Sequence, residues 1–387
     1  MVSWLRNATF YQVFIDRFAT TNQMKPDRGK NEFLGGTILG IRAKLSYLHS
    51  MGVNCIWLSP FCQSVDYHGY HIINFENVEP SFGTLADLKL LIDDCHELGM
   101  RIIADWVPNH CSVQHPFFQE ALANTESPLR QWFYFKKGTN DYRCFLHFPE
   151  LAKFNLNNPQ ARRYMIRNAQ YWLSLGFDGF RIDHAIGPGM GFWKAFRKVT
   201  GRNFPEAVLV GEVWGAGIEP TDFVTLGIMH KQRCRKLGIN QQELQLDYAG
   251  IFDGVLDFYF SQLVRSHFSR KGRVDDELRS ECSKHFSHGY SDSFLPILFL
   301  DNHDLDRFLF VVNDRRCRLE NALSFLFSLP YPRVLYYGTE TYSTQSRSIN
   351  LPLPNADLQA RQPMQWHDIS ASMVSLIHRL TQMTNNR

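Results

Sequence analysis

The sequence predicts an α/β fold, a (β/α)8 TIM barrel with a short insertion after the third strand. Apolar, β-rich segments alternate with helical patterns eight times along the 387 residues. Helical patterns end at glycine, as at Gly52 and Gly99. Carboxylate residues lie at or just beyond the C-terminal ends of three predicted strands, which is where a barrel of this kind builds its site.

The eight strands are predicted from β-branched and aromatic runs bounded by Gly, Pro or polar residues. In chain order they cover residues 9–15, 53–58, 101–105, 180–183, 208–212, 252–259, 295–300 and 333–337. Helical periodicity indicates helices between and after them. The clearest cover residues 41–48, 84–98, 159–175, 192–199 and 370–383.

The alternation of strands and helices breaks once. Residues 111–154 show no clean period and are rich in Pro, Asn, Thr and aromatic residues. We therefore predict three units: residues 1–110 with barrel strands one to three, an inserted B domain at 111–154, and residues 155–387 with strands four to eight.

Composition favours a soluble protein without a nucleic acid or membrane partner. The chain has 41 Lys and Arg against 38 Asp and Glu, and a net charge of +3 is too small to suggest either partner. No apolar run approaches the roughly 20 residues that a membrane span needs. The first residues lack the apolar core of a signal peptide, so we expect a cytoplasmic protein.

The cysteines show no CxxC pair and no metal-ligand spacing, so we expect several of them to be buried free thiols. The eight positions are Cys55, Cys62, Cys95, Cys111, Cys144, Cys234, Cys282 and Cys317.

Residues 176–184 contain the first candidates for functional residues, an arginine and an aspartate on one predicted strand. Strand alternation places Arg181 and Asp183 on one face. A buried arginine and aspartate are costly unless they pair or perform chemistry, so a structural ion pair is the alternative for this stretch alone. Glu212 at the end of the next strand and Asp304 beyond another favour a functional site instead.

Two carboxyl groups across a cleft can cleave a glycosidic bond. One attacks the anomeric carbon, and the other protonates the leaving oxygen and then activates water. Asp183 suits the nucleophile because Arg181 on the same face would keep it ionised. Glu212 suits the acid because neighbouring valines and Trp214 offer an apolar wall that would raise its pKa.

Imidazole and aromatic side chains supply candidate sugar contacts. His110 and His303 carry donors suited to hydroxyl groups, although a single histidine is more often structural. Tyr70 offers a ring on which a sugar could stack. These side chains are therefore candidate contacts for a sugar ligand.

Four segments resemble, in order and spacing, the signature regions of the α-amylase superfamily of glycoside hydrolases. They are residues 105–110 (DWVPNH), 179–183 (GFRID), 211–214 (GEVW) and 299–304 (FLDNHD). Three further segments are also similar to that family, namely 11–18 (YQVFIDRF), 82–84 (FGT) and 361–366 (RQPMQW). The resemblance covers nearly the whole chain.

The resemblance implies a barrel with an inserted domain and a retaining mechanism on α-glucosidic bonds. Matched motif to motif, it makes Asp183 the nucleophile, Glu212 the acid/base and Asp304 the stabiliser of the transition state. The candidate substrate-binding residues are Tyr70, His110, Arg181, His303, His184, Trp214 and Arg307.

The sequence departs from the family pattern at several positions. His71 and Asn74 stand where many members carry Asp, and 186–187 (IG) replaces a Lys-His pair common in starch-cleaving amylases. Lys153 stands where many amylases have an Asp that binds calcium, and cyclomaltodextrinase and neopullulanase members carry Lys there. The pair 306–307 (DR) is also similar to those members. Their N-terminal β-domain and the C-terminal β-sandwich common in the family are both expected to be absent.

The first hypothesis is an enzyme, a glycosidase that hydrolyses α-1,4 bonds in maltooligosaccharides or cyclodextrins through a covalent glycosyl-enzyme on Asp183. A glucosyl-transferring enzyme (a transglycosylase or a sucrose-acting enzyme) and a starch endo-amylase are alternatives on the same residues. A non-catalytic binding protein is disfavoured because both catalytic carboxylates are present. On this resemblance we expect an α-glucan oligosaccharide as the substrate. We expect no cofactor and no metal: calcium is possible through Asn109, but Lys153 places a cation where the resembling site would need a carboxylate.

Overall fold

The computed structural model describes residues 2–215 and 240–385, and thirteen strands and thirteen helices lie within them. The strands are β1 (Thr9–Val13), β2 (Cys55–Leu58), β3 (Cys62–Ser64), β4 (Ile72–Val78), β5 (Arg101–Trp106), β6 (His110–Ser112), β7 (Cys144–Phe145), β8 (Phe148–Lys153), β9 (Gly179–Ile182), β10 (Val208–Gly211), β11 (Gly254–Leu256), β12 (Leu295–Phe299) and β13 (Arg333–Tyr336). The helices are α1 (Ile15–Phe18), α2 (Ile38–Arg42), α3 (Leu45–Ser50), α4 (Leu85–Glu97), α5 (Pro116–Ala123), α6 (Pro159–Ser174), α7 (Met190–Asn203), α8 (Gln241–Leu246), α9 (Phe258–Arg270), α10 (Asp276–Phe286), α11 (Phe308–Val311), α12 (Arg316–Ser328) and α13 (Ala371–Asn385).

Eight strands form a closed parallel barrel, which confirms the predicted fold class. Each barrel strand pairs with the next one along the chain, in the order β1, β2, β5, β9, β10, β11, β12, β13 and back to β1. This sequential order is what a strand followed by a crossover helix produces when it is repeated around a circle.

Seven of the predicted barrel strands lie within two residues of the observed bounds, and the sixth is shorter than predicted. β11 ends at Leu256, and α9 begins two residues later because the side chain of Asp257 caps it, accepting the N–H of Phe260 at 3.0 Å. The aromatic run that predicted a longer strand therefore belongs to the first turn of a helix.

Two hydrophobic layers surround the barrel wall, as strand alternation predicts. One layer fills the barrel and includes Phe10, Val208 and Val210. The other lies between strands and helices and includes Phe180 and Ile182. Arg181, between the last two, therefore points into the barrel.

The segment after β5 forms a separate small antiparallel sheet. Its strands are ordered β6-β8-β7, with His110 opposite Lys153 and Ser112 opposite Leu151. The backbone pairs across this sheet rather than with the barrel, which explains why the segment lacks the barrel's period. The division of the chain into units 1–110, 111–154 and 155–387 remains a prediction.

A second small hairpin, β3 paired with β4, lies after barrel strand β2. Its loop, residues 65–71, is closed by a hydrogen bond from the N–H of Val65 to the carbonyl of His71 (3.2 Å). This loop carries Tyr70 toward the end of the barrel where the predicted carboxylates lie.

Five of the seven described cysteines are buried free thiols, which confirms the expectation for Cys55, Cys62, Cys95, Cys111 and Cys282. Cys144 is half-buried, Cys317 is exposed, and Cys234 lies outside the described residues. No helix in the described part of the chain combines the length and the apolar character needed to cross a bilayer.

Gly179→Ala should destabilise the protein, because Gly179 begins the strand that carries Arg181. Its φ is +153°, and an added Cβ would lie 2.1 Å from the backbone oxygen of Val208. Strain of this kind costs about 2 kcal/mol or more. We expect a lower melting temperature in calorimetry.

The matched control is Gly191→Ala. Gly191 lies in α7 with open space around its missing Cβ, so alanine should leave the melting temperature equal or slightly higher. Equal melting temperatures for the two variants would contradict the close approach at Gly179.

Candidate active site

One guanidinium group lies at the centre of the site. Arg181 has no exposed surface, and its Nη1 donates to Asp105 Oδ1 (2.8 Å) and to Asp183 Oδ1 (3.0 Å). Its Nη2 donates to Glu212 Oε1. A single positive charge therefore contacts three carboxyl groups. The two predicted catalytic carboxylates accept hydrogen bonds from the two terminal nitrogens of this planar group.

Three adjacent barrel strands bring these groups together. Asp105 lies near the end of β5, Asp183 directly follows β9 and Glu212 directly follows β10. β5 pairs with β9 in a register that sets Asp105 opposite Arg181, and β9 pairs with β10. The sequence pointed to Asp183 and Glu212 but missed Asp105 as a partner of Arg181, although its place near the end of the third strand was a usable signal.

Burial has the largest effect on the pKa values of the two predicted catalytic carboxyl groups. It raises the pKa of Glu212 to about 7, against the opposing effect of Arg181, which confirms the predicted direction. Burial also raises the pKa of Asp183 above its usual range, although Arg181 opposes it. The expectation that Arg181 would keep Asp183 ionised is therefore wrong in its net direction, because burial, together with the neighbouring acids Glu212 and Asp105, outweighs the effect of Arg181 on the pKa of Asp183.

Asp304 lies across the cleft in a more positive environment. Its Oδ1 accepts from Arg361 Nη2 (2.9 Å), and its Oδ2 lies 3.0 Å from Nε2 of His303. Burial raises the pKa of Asp304, but His303, Arg361 and Arg181 outweigh that effect and hold it below its usual value. The pKa of Asp304 is thus lowered, whereas burial raises the pKa values of Asp105, Asp183 and Glu212.

Tyr70 and His303 join the two sides of the site. The Tyr70 hydroxyl donates to Asp105 Oδ2 (2.9 Å) and lies 2.6 Å from His303 Nε2, and the two rings stack. Gln12 donates to the other ring nitrogen of His303 at 2.7 Å. Burial lowers the pKa of His303 to about 3, so the ring is neutral and its orientation is fixed by these partners.

A cleft of about 760 Å³ opens above these groups. Asp183, Glu212 and Asp304 lie on its surface, so the structure brings the three predicted catalytic residues into one cavity. Four of the predicted substrate-binding residues also line it, namely Tyr70, His110, His184 and Trp214. Arg181 and His303 lie directly beneath, where they contact the carboxyl groups.

An aromatic wall extends from the site toward the mouth of the cleft. Phe145 stacks on His110 with ring centroids 4.6 Å apart, and Phe148 stacks on Phe145 at 5.9 Å. His184 meets the edge of Phe145. The Nε2 atoms of His110 and His184 are buried and have no hydrogen-bond partner among the described residues.

Sequence analysis missed most of the apolar residues that line the cleft. Phe145 and Phe148 lie in the segment without a clear period, and Leu351 and Leu353 lie in a loop after β13. Leu351 and Leu353 are exposed large apolar side chains, as is Phe148. Exposed apolar groups in a cleft were the only available signal, and a sequence does not show exposure.

Arg307 does not lie where the sequence predicted. It is buried away from the cleft surface, donates to the carbonyl of Tyr337 at 2.5 Å and packs over the ring of Tyr336 at 3.9 Å. Its neighbour Asp306 accepts from Gln345 and from the N–H of Ile349 (2.8 Å). Arg307 therefore supports the loop behind the site and makes no contact with the cavity.

The residues near Asn109 do not fit a calcium ion. Asn109 has one buried side-chain oxygen without a hydrogen-bond partner among the described residues, but Lys153 places an ammonium group nearby and donates to the carbonyl of Gly187 at 2.9 Å. Calcium needs roughly six to eight oxygen ligands, several of them anionic. One amide oxygen beside a lysine does not provide that set.

Comparison with known proteins agrees with this geometry. The model of the α-amylase catalytic domain matches residues 12–376. The protein named α-amylase 2 of Dictyoglomus thermophilum is 35% identical over 369 residues, which cover 94% of this chain and 60% of that protein. A cyclomaltodextrinase from a Bacillus species is 27% identical, over 87% of this chain and 60% of its own length. The chain thus spans 60% of the length of both curated relatives.

Solved structures show the same architecture. The cyclic α-maltosyl-(1→6)-maltose hydrolase of Arthrobacter globiformis superposes with a TM-score of 0.82 at 23% identity, covering 99% of this chain and 84% of that one, a likeness that concerns the fold alone. The α-amylase of Geobacillus thermoleovorans in complex with acarbose gives 0.80 at 25% identity, covering 99% and 79%. With its catalytic-domain match, its barrel and its three converging carboxyl groups, this chain belongs to the α-amylase family of glycosidases.

Proposed function

We propose that this protein is a retaining glycoside hydrolase that cleaves α-1,4-glucosidic bonds in maltooligosaccharides or cyclodextrins, through a covalent intermediate on Asp183. The observation that carries the proposal is the contact of Asp183 and Glu212 with the two terminal nitrogens of Arg181. Held by neighbouring nitrogens, the two carboxyl groups lie side by side. That arrangement favours direct attack by a carboxylate over attack by a water lodged between two more distant groups.

In the first step, a carboxylate oxygen of Asp183 attacks the anomeric carbon and forms an ester. The bond from that carbon to the glycosidic oxygen breaks, and the oxygen takes the proton of Glu212 as it leaves. Burial raises the pKa of Glu212 to about 7, so the group can hold this proton near neutral pH. Asp183 must be ionised for this attack, and the hydrogen bond from Arg181 Nη1 to its Oδ1 favours that form.

In the second step, Glu212 acts as a base. Its carboxylate takes a proton from water, the water oxygen bonds to the anomeric carbon, and the ester bond to Asp183 breaks. Both carboxyl groups return to their initial states, and the product keeps the α configuration because the carbon is inverted twice.

Asp304 stabilises the positive charge shared by both transition states. His303 and Arg361 hold it in the ionised form despite its burial, so a negative charge already faces the cavity before the reaction starts. A charge that is fixed in place stabilises a transition state without reorganisation.

The shape of the cleft supports an oligosaccharide substrate. The cleft is lined by Phe145, Phe148, Leu351 and Leu353, which offer apolar surface on which the carbon faces of glucose units can pack. Several relatives carry names of enzymes of this type, among them the Bacillus cyclomaltodextrinase and an intracellular maltogenic amylase of Bacillus subtilis, 27% identical over 87% of this chain. The second name also supports the proposal that this chain acts in the cytoplasm.

Hydrolysis of maltoheptaose should release sugar in the α configuration, and Asp183→Asn should abolish it. Early-time proton NMR measures the anomer, and chromatography compares products from maltoheptaose, β-cyclodextrin, sucrose and soluble starch. We expect higher kcat/KM on maltoheptaose or β-cyclodextrin than on soluble starch. Release of the β-anomer would contradict the covalent mechanism. A higher kcat/KM on soluble starch would indicate an endo-amylase. Transfer of the glycosyl group to added maltose, in place of hydrolysis, would indicate a transglycosylase.

The pH dependence of kcat/KM should report Glu212. The acid must be protonated to act, and its raised pKa is about 7, so kcat/KM should fall about tenfold per unit as pH rises above that value. Glu212→Gln should lower kcat/KM on maltoheptaose by about 10²–10⁴-fold. The loss should be much smaller on α-maltosyl fluoride, whose leaving group needs little acid assistance.

Glu206→Gln is the matched control for that measurement. Glu206 is an exposed carboxylate before β10 and should leave both the rate and the pH profile unchanged. An unchanged alkaline decline in Glu212→Gln on maltoheptaose would assign the titration to another group.

Removal of calcium should not affect stability. Lys153 supplies a tethered cation beside Asn109, so a chelator has no structural ion to extract. Burial lowers the pKa of Lys153 to about 7, so the comparison belongs at pH 6, where the ammonium is charged. Equal melting temperatures with and without EDTA are expected, and a drop restored by calcium would contradict this.

A further inference from the structure

The loop between β3 and β4 places a second acid and an imidazole in the cleft, away from the catalytic carboxylates. Asp66 and His71 both line the cavity, and neither takes part in the mechanism above. They lie at the two ends of the loop that carries Tyr70. Because the Tyr70 hydroxyl is fixed to Asp105 and His303, the whole loop is held in register with the reaction centre.

Asp66 is held in a defined orientation. Its Oδ1 accepts from Asn31 Nδ2 (2.6 Å), and its Oδ2 lies 2.7 Å from His71 Nδ1. The backbone N–H of Asp66 donates to the hydroxyl of Ser64 (3.2 Å). Each carboxylate oxygen has two lone pairs, so both retain capacity to accept another hydrogen bond.

His71 offers a complementary atom. Because its Nδ1 faces the carboxylate of Asp66, the ring carries a proton there, and Nε2 has no hydrogen-bond partner among the described residues. The side chains of Asp66 and His71 are 18% and 17% exposed, which leaves both accessible from the cavity.

A metal ion fits this cluster less well than a sugar, although His68 lies close enough to complete a three-ligand set. Nδ1 of His68 accepts the backbone N–H of Tyr70 at 3.1 Å. The proton of the neutral ring is therefore on Nε2, the nitrogen nearer Asp66, and that nitrogen cannot offer a lone pair to a metal. Asp66 is left with hydroxyl groups as its best-matched ligands.

We infer that Asp66 and His71 form a saccharide-binding pair that holds the hydroxyls of a glucose unit on the Tyr70 side of the cleavage point. The inference rests on the proposed function, since it names a further contact of the same cleft. The pair contributes acceptor sites on the carboxylate and one imidazole nitrogen to neighbouring hydroxyls of one ring. Such contacts to a part of the substrate that does not react orient the bond that does.

The test measures binding without turnover. Maltoheptaose is titrated into Glu212→Gln by calorimetry, and Asp66→Asn and His71→Ala are added separately to that background. Each should raise Kd about tenfold or more, as expected when a hydrogen bond to a charged or ion-paired group is lost. The double variant should bind little worse than either single one, because the two side chains act as a unit.

The matched control is His96→Ala. His96 forms the same kind of pair with Asp178 (2.9 Å), but outside the cleft, beside the start of β9, so its loss should leave Kd unchanged. Melting temperatures identify any variant that is misfolded, and in that case His71→Asn replaces His71→Ala. A Kd within twofold of the background in both single variants would overturn the inference.

Two further outcomes separate this inference from the proposed function. Wild-type protein that binds maltoheptaose without cleaving it would refute the hydrolase and leave the binding pair intact. Hydrolysis by the wild type, together with a Kd for maltoheptaose that does not change in the Asp66 and His71 variants, would support the hydrolase and refute the binding pair. Stoichiometric binding of Zn²⁺ that is lost in His71→Ala would assign the cluster to a metal and overturn the sugar assignment.

Discussion

A single buried positive charge, the guanidinium of Arg181, holds together three carboxyl groups that would otherwise repel one another inside the barrel. Charges removed from water are costly unless each finds a partner, and loss of one partner from a buried pair costs about 3–5 kcal/mol. Here Asp105, Asp183 and Glu212 each contact the same group. The same guanidinium therefore connects the ends of β5, β9 and β10 and sets the positions of the three carboxyl groups.

The two sides of the cleft differ in how their surroundings shift the pKa values of the carboxyl groups. On the Arg181 side, three acids compete for one cation, so burial prevails and a proton can be held near neutral pH. On the other side, Asp304 faces His303 and Arg361, and cationic or polar neighbours prevail over burial. Tyr70 bridges the two sides through hydrogen bonds to both Asp105 and His303. One cleft thus offers both an acid that can give up a proton and a carboxylate that stays negative.

Sequence patterns predicted correctly those features that depend on strand periodicity or on the position of a residue within its own strand. Alternation predicted that Arg181 points into the barrel, and the ends of strands predicted that Asp183 and Glu212 would meet. Patterns failed where the outcome depends on a contact from elsewhere in the chain. Arg307 follows a signature segment, but its direction is decided by packing on Tyr336, which lies on the next strand.

Contacts between distant segments account for the other omissions. The hydrogen bond from Asn31 to Asp66 joins two loops that are distant in the chain, so neither residue stands out in the sequence. The early end of β11 shows the limit of propensity, because an aromatic run can continue a strand or begin a capped helix equally well. A single capping contact at Asp257 decided between them.

The hairpin of β7 and β8 contributes more to the cleft than its size suggests. Phe145, at the end of a two-residue strand, packs against His110 and His184 and thereby closes one side of the cavity. A segment with so few backbone pairs is typical of the parts of a protein that open first in local fluctuations. Under the proposed function, a sugar that packs on Phe145 would restrict the motion of this short hairpin, and sequence changes elsewhere in the hairpin would then alter affinity without contacting the ligand.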